Sequence, residues 1–551
     1  MSEPATNANA NTARAFDVVI VGAGFAGLYM LHRLRGLGLS VRVIEGASGV
    51  GGTWYWNRYP GARCDVESMQ YSYSFSPEIE QEWTWSELFA AQPEILRYAN
   101  FVADRLDLKR DIQFDTLVTS AQFDDAAHCW DIATDRGERF AARFCIMATG
   151  CLSNARVPDF KGLESFQGRT YHTGHWPHED VDLSGQRVGV IGTGSSAIQA
   201  IPVIAEQAAE LIVFQRTPNY SIPSRNGPMT PEYEQSWKSV YQQKREQARY
   251  MRSGVLYHID ERSAVEVEEE ERRRHYEDRW RVGGTAFMGS FTDLAVNKAS
   301  NDTAAAFVRE KIRAIVNDPA TAELLAPKDY PIGTKRICVD TEYFATYNRP
   351  NVRLVDVRSQ PIDEITPAGL RVADTEYALD SIVFATGFDA MTGALAKIDI
   401  RGVGGVALRD EWAAGPRTYL GLMSAGFPNL FLITGPGSPS VLSNMIVSIE
   451  QHVDWVSDCI AHLQSRQLSR IEPTRAAQDA WVDHVNEVAH GTLYPQANSW
   501  YMGANVPGKP RVFMPYIGGV GVYRQTCADI AAKGYEGFRL SAREPQTEAA
   551  D

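Results

Sequence analysis

Two short strand-like runs, Phe16 to Val21 and Arg187 to Ile191, each lead into a glycine-rich turn and then into a helical pattern. The first turn is Gly22-Ala23-Gly24-Phe25-Ala26-Gly27 and the second is Gly192-Thr193-Gly194-Ser195-Ser196-Ala197. Each predicts strand, tight turn, helix N-terminus and returning strand, the arrangement that lays a pyrophosphate on free backbone N–H groups at the positive end of a helix. The returning strands end at equal distances from their turns, at Glu45 in the first copy and at Gln215-Arg216 in the second. One chain is therefore expected to bind two dinucleotides.

Between and beyond the turns the pattern changes twice. Ile112 to Val118 and Trp130 to Thr134 read as strands, and two buried runs close on Ala148-Thr149-Gly150 and Ala385-Thr386-Gly387, where small residues let the backbone pass close to a dinucleotide turn. These are read as crossings between domains. From about Arg225 to Leu325 the pattern is helical and charged. Glu268 with Arg272, Glu269 with Arg273 and Glu270 with Arg274 are spaced for i,i+4 pairs, while Val308, Ile312 and Ile315 keep helical spacing and Pro319 stops the element. Asn429 to Thr434 reads as a buried strand, and Gly435 to Pro439 turns it into a helix from Ser443 to His462. The fold class expected is α/β, with two Rossmann-like dinucleotide-binding domains and an all-helical insertion. The division is 1–151 with 389–541 for the first domain, 152–213 with 329–388 for the second, 214–328 for the insertion and 542–551 for a tail.

The far ends of the two turns separate their ligands. A carboxylate at Glu45 accepts hydrogen bonds from an adenosine ribose and repels a 2′-phosphate, which suits FAD or NAD. Arg216 does the reverse, because it is always charged and grips phosphate with a planar fork of donors, so NADPH is expected at the second turn.

Bulk properties narrow the classes further. At 551 residues, with 44% apolar and 22% charged residues, the chain has the composition of a multidomain globular protein. A net charge of −14 argues against a nucleic-acid or anionic-lipid footprint. Seven scattered cysteines without a CxxC pair fit a reducing compartment, and the polar first fifteen residues read as a tail with no signal-peptide core. No apolar stretch approaches the roughly 20 residues of a membrane span, so a cytoplasmic location is expected. His172, His175 and His178 are evenly spaced, but Pro177 opposes a helix presenting all three, and no metal is expected.

Just before the second turn lies Phe166-Gln167-Gly168-Arg169-Thr170-Tyr171-His172-Thr173-Gly174-His175-Trp176-Pro177. This stretch resembles the FxGxxxHxxxW signature, followed by Pro or Asp, of the Baeyer-Villiger monooxygenases. A second family pattern, GGxWxxxxYPGxxxD, is filled by Gly51, Gly52, Trp54, Tyr59, Pro60, Gly61 and Asp65. The resemblance runs from about Phe16 to Leu540 and is strongest to the phenylacetone and steroid monooxygenase branch. The chain departs from the family's RxGxxGG pattern, with Gly46 and Ser48 in place of Arg and Gly.

The resemblance implies FAD at the first turn, through Gly22, Gly24, Phe25, Ala26, Gly27 and Glu45, with Gly52, Thr53, Trp54, Tyr71, Val118 and Met445 around it. NADPH is implied at Gly192, Thr193, Gly194, Ser195 and Ser196, with Arg216, Thr217 and Lys335 on its 2′-phosphate and Arg63 and Trp500 as further cofactor contacts. The chemistry implied is hydride transfer from NADPH to FAD, reaction of reduced flavin with O₂ to a peroxide on flavin C4a, and its attack on a ketone to give an ester or lactone. Arg336 aligns with the family's active-site arginine, and Asp65 with the carboxylate that pairs with it. Ketone and O₂ are the partners implied, with no nucleic acid, membrane or obligatory protein partner. An N- or S-hydroxylating flavin monooxygenase is the nearest rival, since it shares both turns. A disulfide reductase would need the redox cysteine pair that is absent, and a dinucleotide sensor would need no Arg336.

Overall fold

Each glycine turn stands at the C-terminal edge of its own parallel sheet. In the first sheet the strands lie in the order Ile112–Gln113, Val41–Ile44, Arg14–Val21, Arg139–Met147 and Leu430–Leu432. The second runs Val352–Asp356, Glu210–Gln215, Arg187–Ile191, Ser381–Phe384 and Arg169–His172. Both place the turn-bearing strand at the centre, as open Rossmann sheets do. The last four residues of each central strand are buried, which a parallel sheet covered on both faces requires. The computed structural model describes residues 13–543, so most of both expected tails, 1–15 and 542–551, lies outside the described residues.

An antiparallel meander precedes the fourth strand of each unit. In the first it is Val118–Asp124, Cys129–Thr134 and the start of Arg139–Met147; in the second it is Ile362–Thr366, Gly369–Val372 and Thr375–Ala378. The two Ala-Thr-Gly crossings do the same steric work. A Cβ on Gly22 would stand 2.6 Å from the Ala148 carbonyl oxygen, and one on Gly192 2.5 Å from that of Ala385. With φ of +106° and +114°, neither position tolerates a larger residue.

The helical segment comprises Pro231–Lys238, Tyr241–Tyr250, Glu269–Val282, Lys298–Ile315 and Pro319–Leu325. It is entered and left beside one short parallel ladder, Ser221–Pro223 against Cys338–Asp340. Trp280, Phe287 and Phe307 share a buried cluster with Val188, Ile198 and Ile201, so the later helices pack with the second unit, whereas Trp237 and Tyr241 belong to the first unit's core and Tyr241 donates its hydroxyl to the Met69 carbonyl at 2.8 Å. The strand Glu210–Gln215 runs past the expected 213/214 boundary.

Several local expectations are corrected. The run Ile112 to Val118 is two strands on opposite sides of the sheet, broken where Asp115 takes φ +52° and donates its N–H to the Ala47 carbonyl at 3.0 Å. Of the three charge pairs, only Glu270 and Arg274 meet, at 3.5 Å. Arg272 instead donates to the Ala264 and Val267 carbonyls, and Arg273 reaches Glu310 on the neighbouring helix. Pro319 opens a helix, whose Asp318 cap accepts from the Thr321 N–H at 2.8 Å. The strand expected at Asn429 to Thr434 shrinks to Leu430–Leu432 because both end residues have positive φ. The helix after it is Met445–Ser465, capped by Asn444.

Candidate active site

The two turn-bearing edges open on one cleft of about 1690 Å³. All of the expected site residues line it except Gly27. A Cβ on Gly27 would fall 1.9 Å from the Gly22 carbonyl oxygen, so this glycine packs the helix against the turn rather than facing a ligand.

The cleft fits two dinucleotides. The helices Phe25–Gly36 and Ser195–Gln207 begin at Gly24 and Gly194 without a side-chain cap, which leaves first-turn N–H groups directed at the cleft. Glu45 is buried at the tip of its strand and accepts from the Ala23 and Ala47 N–H groups at 2.5 and 2.8 Å. Burial pushes its pKa up, and those backbone donors oppose the shift. Trp54 donates its indole N–H to the Tyr71 hydroxyl at 3.0 Å, fixing both rings beside Gly52 and Thr53. Val118 begins a strand and Met445 a helix, and both line the cleft.

Between the turns stands a charged pair. Arg336 Nε and Nη2 lie 3.1 and 3.0 Å from Asp65 Oδ2, and Nη1 lies 3.4 Å from the Val441 carbonyl. Burial works against the charge on Arg336, but Asp65, Tyr501 and Cys338 together more than offset it and the net shift raises its pKa. Burial also raises Asp65, with Arg336 opposing. The other oxygen of Asp65 accepts from Gln199 Nε2 at 3.3 Å, and Gln199 also donates to the Arg63 carbonyl at 3.1 Å and accepts from the Tyr59 hydroxyl at 2.8 Å. Gln199 sits on the second turn's helix, so it fastens that helix to the Tyr59 to Asp65 loop. Gly61 permits the contact, since a Cβ there would lie 2.3 Å from the Gln199 carbonyl. The Arg63 guanidinium itself is committed to Glu87 and the Phe89 carbonyl, at 2.5 and 2.7 Å.

A cationic corner closes the far side of the second turn. Among the described residues neither Arg216 nor Lys335 has a carboxylate within ion-pair distance. Burial, followed by Arg216 and Arg358, pushes the Lys335 pKa down to about 8. Unpaired cations that repel one another are an anion site in search of its anion. Thr193 holds the neighbouring loop by donating its hydroxyl to the Thr217 carbonyl at 2.7 Å. Trp500 lies on the same cleft, its ring 4.2 Å from that of Tyr501.

The His172 stretch is the edge strand of the second sheet and its exit. His172 Nδ1 accepts from the Gly174 N–H at 2.9 Å, so Nε2 carries the proton toward the Arg156 carbonyl at 3.2 Å. Thr386 donates to that same carbonyl at 2.5 Å, which staples the two crossings together. Burial lowers the His172 pKa and keeps it neutral. Trp176 stacks on Tyr171 at 5.1 Å, while His175 and His178 turn to Trp56 and Tyr55.

Residues 19–317 match a family described as pyridine nucleotide-disulphide oxidoreductase. A Baeyer-Villiger monooxygenase from Pseudooceanicola batsensis is 45% identical over 531 residues, covering 94% of this chain and 95% of its own. The chain belongs to the Baeyer-Villiger monooxygenases. A solved steroid monooxygenase bound to NADP is 56% identical with a TM-score of 0.92, covering 96% of this chain and 99% of its own. The protein OTEMO, solved in complex with FAD and NADP, is 43% identical with a TM-score of 0.93, covering 96% of this chain and 100% of its own. FAD and NADPH are the cofactors of this Baeyer-Villiger monooxygenase.

At the departure a Cβ on Gly46 would stand 2.5 Å from a methyl of Leu117, the mobile end of an exposed side chain, so nothing in the backbone around Gly46 demands glycine there. Gln199 went unread as a site residue, although a polar residue inside the apolar Ala197-Ile198-Gln199-Ala200-Ile201 run, one helical turn after Ser195, is the signal that marks it. Tyr501, buried beside Arg336, was also missed, since nothing in its local pattern separates it from a core tyrosine.

Proposed function

We propose that this monooxygenase inserts one oxygen atom of O₂ beside the carbonyl of an apolar ketone, giving an ester or lactone while NADPH is oxidised and the second oxygen leaves as water. The observation that carries this reading is the Arg336 fork, locked by Asp65 between the two nucleotide turns. Bound FAD supplies the hydride acceptance and the activation of O₂.

The chain's own residues do the remaining work. Arg336 uses two nitrogens to hold Asp65 and rests Nη1 3.4 Å from the Val441 carbonyl, while its partly exposed guanidinium lines the cleft, where such a cation steadies negative charge developing on a carbonyl oxygen. Its proton stays put, because arginine is charged at any working pH. Asp65 positions the fork, and Gln199 ties Asp65 to the helix that carries NADPH, so occupancy of the second turn bears on the arginine's place. Val441, Met445 and Trp500 on the cleft wall, backed by Tyr501 and Phe513, form an apolar side that accepts hydrocarbon and keeps water from the reacting oxygen. The test is oxidation of phenylacetone by the FAD-loaded enzyme under ¹⁸O₂. One labelled oxygen in the ester is expected; an unlabelled product, or none with NADPH consumed, contradicts the proposal.

A further inference from the structure

The corner that takes the adenosine end of NADPH holds a third cation, and strand register puts it there. Val352–Asp356 pairs in parallel with Glu210–Gln215, Asp356 opposite Gln215, and the Val357 N–H donates to the Gln215 carbonyl at 2.9 Å. Arg358 therefore leaves the sheet edge beside Arg216 and Thr217. Arg216, Lys335, Arg358 and Asp329 all line the same cleft, and the charge of Arg358 is felt at Lys335. Arg358 is tied to Asp329, but both side chains are more than half exposed, at 57% and 52%. Such a pair contributes little in water and gives up its guanidinium readily to a stronger anion.

We propose that Arg358 is a third arm of the adenosine 2′-phosphate site, released from Asp329 when the nucleotide binds, and that Asp329 tempers its grip. A 2′-phosphate carries close to two negative charges at neutral pH, as other phosphate monoesters do. Before the nucleotide arrives, burial and the neighbouring arginines push the Lys335 pKa down to about 8, so in alkaline solution Lys335 offers less charge to an incoming phosphate than Arg216 does. Arg358 keeps its proton there and presents a planar fork. The inference rests on the reading that the second turn takes NADPH, and the test separates the two.

The experiment is isothermal titration calorimetry of NADP⁺, NAD⁺ and 2′,5′-ADP into the oxidised, FAD-loaded enzyme. Wild type is compared with Arg358→Gln, Asp329→Asn, the double variant and Arg216→Ala. Arg358→Gln is expected to weaken NADP⁺ and 2′,5′-ADP about tenfold, as the loss of a charge-assisted contact does, and to leave NAD⁺ nearly unchanged. Asp329→Asn is expected to tighten both phosphates, and the double variant to remain weaker than Asp329→Asn. If the double variant binds as tightly as Asp329→Asn, Arg358 only screens Asp329 and the proposal fails. It also fails if Arg358→Gln leaves NADP⁺ affinity intact while Arg216→Ala lowers it. If Arg216→Ala leaves the preference for NADP⁺ over NAD⁺ unchanged, the underlying NADPH reading fails instead.

Discussion

Removing the Arg336 side chain should separate flavin reduction from ester formation. Two of its nitrogens hold Asp65 at 3.0 and 3.1 Å and the third lies 3.4 Å from the Val441 carbonyl, so the guanidinium has little freedom and is held at the cleft wall before substrate arrives. Loss of one preorganised donor of this kind costs on the order of 10²–10³ in rate, or about 3–4 kcal/mol of transition-state stabilisation. Asp65 would be left buried without its partner. Burial already raises its pKa and Arg336 opposes that rise, so losing Arg336 moves Asp65 further toward its neutral form and eases the cost of leaving it without a partner. The first turn and Glu45 are untouched, so FAD stays bound. The assay follows flavin bleaching by NADPH in a stopped-flow spectrometer, ester by gas chromatography and hydrogen peroxide by a peroxidase dye. Arg336→Ala is expected to retain FAD, lose at least 10² in ester formation and release its reducing equivalents as peroxide. Arg336→Lys restores charge without the fork and is expected to recover little. Ester yield per NADPH equal to wild type in Arg336→Ala would refute the role assigned to the arginine.

Three further outcomes are expected. Lys335 is charged below about pH 8 and loses its proton as pH rises through that value, so KM for NADPH should climb on the alkaline side while KM for NADH stays flat; parallel climbs would rule out a phosphate contact. Gln199→Leu removes the amide that joins Tyr59, Arg63 and Asp65, a loss of about 1 kcal/mol for each neutral hydrogen bond, and should raise the peroxide share of NADPH oxidation several-fold. Unchanged coupling would show that Gln199 only packs. Gly192→Ala drives a methyl to 2.5 Å from the Ala385 carbonyl oxygen and should weaken NADP⁺ by at least about tenfold while flavin content stays normal; equal loss of both cofactors would contradict separate sites.

Local chemistry made some of this architecture legible and left the rest hidden. Gly22 and Gly192 could be read because a positive φ and a carbonyl closer than 3 Å exclude other residues, and both constraints act within one turn. Glu45 and Arg216 could be read because each sits at the end of a strand whose length the turn sets. The charge pattern around Arg272 and Arg273 misled, since Arg272 turns back to carbonyls just ahead of the helix and Arg273 reaches a carboxylate on a neighbouring helix. Asp115 misled as well: its positive φ splits an apparently continuous strand run, and no glycine marks the break. Gln199 and Arg358 depend on contacts across helices and strands brought together only by folding. The cleft between the units holds the residues whose roles are hardest to read along the chain.

The most direct test of the account is product analysis by gas chromatography and mass spectrometry. FAD-loaded enzyme and NADPH are incubated with phenylacetone, cyclohexanone, a long-chain methyl ketone and progesterone, and hydrogen peroxide is measured alongside. The account predicts an ester or lactone one oxygen heavier than at least one of these ketones, formed in step with NADPH consumption. NADPH loss matched by hydrogen peroxide, with every ketone recovered unchanged, would contradict it.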